Sequence, residues 1–149
     1  MREFLVLISC IFFSLLQTKV GVSGFHPDFL LVFFIFLVFK KFYFVGSSLF
    51  FIITLKIFSN VPLIMLILYW AIIEIIIRMW QKSFISIHKS SAFFLILGLS
   101  IYSFIFWNYS YEFGVPFFVN LLKYVSSNIL VFLFFYPFIP EMYVSTEEE

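Results

Sequence analysis

Six apolar runs, separated by breaks too short to hold a soluble domain, take up almost all of the sequence between Phe4 and Ile139. A chain of 149 residues with that pattern cannot hide its apolar surface inside one water-soluble core. Its residues are 64% hydrophobic, 25% aromatic and 11% charged, against about 45–50% apolar and about 25% charged in an ordinary soluble domain. The mean hydropathy is +1.14. The expected fold class is therefore an all-α integral membrane protein.

A membrane helix needs about 20 mainly apolar residues, with about 17 tolerated. The expected spans are Phe4 to about Val20, Pro27–Phe39, Phe42–Phe58, Val61–Trp80, about Ser91 to Tyr109, and about Phe117 to Ile139. The second is short enough to suggest a re-entrant segment. Lys40 and Lys41 can lengthen its reach by snorkelling, so it is read as a tilted span. Six spans give one polytopic domain over residues 1–141, and residues 142–149, ending in "STEEE", form a short acidic cytoplasmic tail. Five spans are the alternative.

Orientation follows from cations in short loops. With six spans, Arg2, Lys40, Lys41, Arg78, Lys82 and Lys89 fall on one side, and Lys19, Lys56 and Lys123 on the other. That imbalance places both termini in the cytoplasm. Trp70, Trp80 and Trp107 lie near span ends, where interface anchors are common. The first segment also imitates a signal peptide, and "LISC" at 7–10 imitates a lipoprotein cleavage box. The apolar run continues past Cys10 to Leu16, so the segment is read as a retained helix.

Chemistry leaves few marks. The net charge of +1 offers no basic surface for nucleic acid. One cysteine and two histidines, His26 and His88, give no metal or haem site enough ligands. No phosphate loop, nucleophile elbow or catalytic constellation is present, so neither an enzyme nor a cofactor is expected.

The polar residues inside the apolar runs are the candidates for contact. In "YWAIIEIIIRMW", residues 69–80, Glu74 and Arg78 are four apart and face one side of a helix. They form a self-neutralising pair near the cytoplasmic interface, a contact with a partner helix, or a polar step in a transport path. Lys56 falls in the last turn of the third span, too far along the axis from Glu74 to bridge to it without a kink. Asn120, Ser126, Ser127 and Asn128 give the sixth span a polar first half that usually faces other helices. Glu74, Arg78, Lys56 and Asn128 are thus candidate partner-binding residues. In "FHPDFLL", residues 25–31, Pro27 suits the start of a helix and Asp28 meets its positive end. His26, Pro27 and Asp28 form a helix-starting motif.

These stretches carry a family resemblance. "SLLQ" ending at Gln17, followed by "FHPDFLL", resembles the MreD family of rod-shape-determining proteins. There a first helix leads through a short loop into an aromatic, a basic residue, proline, Asn or Asp, and an apolar helix. "VSSNILVFLFFYP", residues 125–137, is similar to that family's last helix. The resemblance covers nearly the whole chain in length and span number. It implies a non-enzymatic scaffold of the bacterial cell-wall elongation complex in the inner membrane. Implied partners are an MreC-like bitopic protein and, indirectly, MreB filaments and wall-elongation enzymes. One departure stands out: Gly46 is kept, but Lys56 falls about where the family's third helix has an aspartate, which puts any contact made by that acid in doubt. The rival expectation is a substrate-binding subunit of a vitamin-type uptake transporter, a class similar to this family in fold. Such a subunit should gather several polar side chains in its interior, and few stand out here.

Overall fold

The computed structural model describes residues 2–19, 27–39, 47–58, 60–83, 86–88, 91–108, 114–139 and 142–144. Six helices form the body: α1 (Arg2–Lys19), α2 (Phe29–Phe39), α3 (Ser47–Phe58), α4 (Leu63–Ser83), α5 (Ser91–Trp107) and α6 (Val115–Phe135). A 3-10 turn, Tyr136–Phe138, extends α6. The helical reading holds, with one addition. Strands β1 (Ser86–His88) and β2 (Met142–Val144) pair antiparallel, Ile87 opposite Tyr143. Part of the stretch read as a free tail is therefore joined to the connection after α4.

Two segments, Leu63–Trp80 and Val115–Phe138, are long and apolar enough to cross a membrane. The other helices are shorter apolar segments, between 10 and 17 residues in their apolar parts.

Side-chain contacts fix the relative directions of α2, α4, α5 and α6. Asp28 meets Tyr69 and Phe39 meets Trp80, so α2 and α4 run parallel and in register. Phe51 on α3 meets Trp70 on α4, and α3 packs along both α4 and α1. On the α5–α6 pair, Phe93 touches Phe132 and Phe104 touches Phe117, an antiparallel arrangement. Tyr124 beside Asp28 and Phe135 beside Phe36 make α2 and α6 parallel.

The core is built around α2. Ten of its eleven residues are buried, so it has no outward face. Phe34 stacks edge-on against Phe51 and Trp70, and Phe33 reaches Phe13 on α1. Trp70 is 1% exposed, deep in this cluster, which removes it from the expected interface anchors. Trp107, 36% exposed at the end of α5, keeps that position. The outer faces of the surrounding helices are largely apolar: Phe94, Val115 and Phe134 are each more than three-quarters exposed.

Candidate functional site

At 1.5 Å per residue α2 is about 16 Å long, whereas α4, with 21 residues, is about 31 Å. The short helix therefore begins beside the sixth residue after the start of α4, Tyr69, about 9 Å from that helix's end. A helix start enclosed by apolar neighbours leaves backbone N–H groups with no water to satisfy them. Asp28 and Asn128 answer that need.

Asp28 is the N-cap of α2. Its Oδ1 accepts a hydrogen bond from the Leu31 N–H at 3.0 Å, the usual capping geometry of an acid three residues ahead. The Asp28 N–H donates to Asn128 Oδ1 at 2.6 Å, across 100 residues of sequence. Asn128, fully buried on α6, donates in turn from Nδ2 to Ser100 Oγ on α5 at 3.0 Å. Sequence reasoning set α2 to begin at Pro27. The observed helix begins two residues later because the Asp28 side chain, not Pro27, closes its first turn.

The other carboxylate oxygen faces three hydroxyls. Tyr124 OH lies 3.1 Å from Asp28 Oδ2, and Tyr69 OH and Ser103 Oγ each lie at 3.4 Å. Among themselves the hydroxyls are closer, with Tyr69 to Ser103 and Ser103 to Tyr124 both at 2.8 Å. Each hydroxyl has one proton to donate. Three protons therefore serve one chain along the shortest contacts: Tyr69 to Ser103, Ser103 to Tyr124, and Tyr124 to the carboxylate. The 3.4 Å separations are longer than good O–H···O bonds. This polar cluster joins α2, α4, α5 and α6, and each of its members acts on another.

Of the residues singled out in the sequence, the fold brings Asp28 and Asn128 together. Pro27 is buried directly before the cap, and His26 lies outside the described residues. Because the Asn128 amide is engaged inside the bundle and is 0% exposed, it is not presented to a partner helix. Glu74 and Arg78 form an ion pair at 2.6 Å, with their side chains 22% and 58% exposed. Lys56 stands apart from both, its Nζ donating to the Val61 carbonyl at 3.0 Å on the surface. It thus closes the turn between α3 and α4 and does not reach Glu74.

Tyr69, Ser100, Ser103 and Tyr124 escaped the sequence reading. A signal for them exists. Tyr69 and Tyr124 fall six and nine residues inside their helices, beyond the usual place of an interfacial tyrosine. Ser100 with Ser103, and Tyr124 with Asn128, have the spacing of one helix face.

The remaining polar residues of α6 divide by face. Ser127 is buried and donates to the Lys123 carbonyl at 2.7 Å, while Asn120, Lys123 and Ser126 are exposed. Asn120 and Ser126, expected to face other helices of the chain, face outward. No family model, no curated protein and no solved structure matches the chain.

Proposed function

We propose that the chain is a non-enzymatic scaffold of the bacterial cell-wall elongation complex, seated in the cytoplasmic membrane with six spans and both termini inside the cell. The observation that carries this reading is the bond from the Asp28 N–H to Asn128. It joins the two stretches, 25–31 and 125–137, on which the resemblance to the MreD family rests. In that light the polar cluster is a joint that sets the depth of a central helix. The exposed apolar faces of the outer helices meet lipid or a neighbouring membrane helix. The partner is an MreC-like bitopic protein, whose single span would pack laterally, and through it the chain would act with MreB filaments and wall-synthesising enzymes.

A second reading keeps a specific observation in its favour. Asp28, Tyr69, Ser103 and Tyr124 converge from four helices. Convergent polar groups of this kind are what a substrate-binding subunit of a vitamin-type uptake system would need. In this fold they are bonded to one another, which favours the joint.

Affinity purification of the tagged protein from its native membrane in mild detergent, followed by mass spectrometry, separates the two. Recovery of an MreC-like bitopic protein with wall-elongation enzymes is expected. Recovery of a transport ATPase and its coupling subunit would overturn the scaffold reading. If the Glu74–Arg78 pair also touches the partner, Glu74→Leu should reduce recovery of that protein with insertion unchanged. Equal recovery would remove Glu74 from the contact.

A further inference from the structure

α6 carries one outward row that does not suit lipid. Asn120, Lys123 and Ser126 are exposed and spaced three apart, so they climb one i+3 ridge at about 4.5 Å per step. Val119, Leu122 and Leu130 beside them are exposed and apolar. Lys123 is eight residues inside Val115–Phe138, about 12 Å along the axis. A lysine stem can snorkel toward the surface. Asn120 and Ser126 are too short to follow, and Ser126 is about 16 Å from the start of α6. Polar side chains held at such a position in a spanning helix ordinarily find hydrogen-bonding partners on another helix. The inward polar residues of α6, Tyr124, Ser127 and Asn128, are already bonded within the bundle. Among the described residues no carboxylate pairs with Lys123.

We propose that the Asn120–Lys123–Ser126 ridge seats a membrane helix of another protein that bears an Asp or Glu at matching depth. Charge selects this occupant. In a second copy packed in parallel by two-fold symmetry, Lys123 would face Lys123. Glu74, the carboxylate this chain exposes within α4, is engaged with Arg78. A lipid phosphate at the surface would satisfy Lys123 and leave Ser126 in hydrocarbon. The inference rests on the membrane-spanning reading of α6, and on the scaffold reading only for the identity of the partner.

The test is a photo-crosslinking residue placed at position 119, where Val119 is exposed beside the ridge and Lys123 stays in place, in the full-length protein in its native membrane, with Phe94, exposed on α5, as the control position. The expected adduct at 119 is a membrane protein with an acidic residue in its span, and none forms at 94. Lys123→Glu should then lower recovery of that protein by about tenfold or more, and exchange of the partner's acid for lysine should restore it. Lys123→Arg should keep recovery within about twofold of the parent. Thermal unfolding of Lys123→Glu in detergent should match the parent, which excludes misfolding as the cause. Adducts only with lipid, only with a second copy, or none at 119 would overturn the ridge while leaving the scaffold reading to the purification described above. A charge-swapped partner unrelated to wall synthesis would sustain the ridge and sink the scaffold reading.

Discussion

Asp28 does two jobs with two oxygens. Oδ1 caps α2 through the Leu31 N–H, and Oδ2 terminates the hydroxyl chain that starts at Tyr69. Replacing it with leucine removes the cap, worth about 0.5–2 kcal/mol, and leaves buried groups without partners at about 1–3 kcal/mol each. Asp28→Leu should therefore lower stability by about 3–5 kcal/mol. Asp28→Asn should lose much less, because asparagine also caps and its amide can donate to Tyr124, reversing the hydroxyl chain. Asn128→Leu strands the Asp28 N–H and Ser100 and should fall between them. The double replacement of Asp28 and Asn128 should lose less than the sum, since both act in one network. Thermal unfolding in detergent, followed by tryptophan fluorescence, measures all four, and additivity would mean that the two residues act separately. The helix start was legible in Pro27 and Asp28, but the sequence put Asp28 inside the first turn, at the positive end of the dipole, and not at the cap. The bond to Asn128 was not legible, because nothing local reports which residue of a distant helix lies level with the start of α2.

At the scale of the element, the breaks were legible and the roles were not. Proline, glycine and lysine interrupt the apolar runs, and these interruptions set the ends of α4 and α6 within a few residues. What the sequence does not carry is that α2 lies at the centre. An apolar run reads the same whether its neighbours are lipid tails or phenylalanines. Its shortness was the clue, and it fits a helix enclosed by longer ones better than one that must reach both surfaces unaided. Backbone ends below a membrane surface are tolerated where protein surrounds them and caps their polar groups. The consequence is measurable. Phe34, 0% exposed between Phe51 and Trp70, should cost about 3–5 kcal/mol on replacement by alanine. Phe94→Ala, at 77% exposure on α5, should change stability by less than about 0.5 kcal/mol. Similar losses at the two positions would mean that α2 is not the centre of the packing.

Across the whole molecule the side-chain contacts make α2, α4 and α6 run one way, with α5 running against them. The β1–β2 pairing puts the stretch after α4 beside the stretch after α6, as two parallel helices require. On the proposed six-span reading the chain reverses at every connection and ends on the side where it began. That reading rests on the distribution of cations, with Arg2, Lys40, Lys41, Arg78, Lys82 and Lys89 expected on one side. Cysteine labelling tests the arrangement without altering the native residue, because Cys10 is fully buried and should not react. Asn60→Cys, exposed between α3 and α4, should react with a membrane-impermeant maleimide in intact cells. Glu149→Cys should react only after the cells are opened. Labelling of both positions in intact cells would put position 149 outside, as an odd number of crossings after a cytoplasmic N-terminus requires. The helix lost from the count would then be α2, whose length is about half of the roughly 30 Å hydrocarbon core.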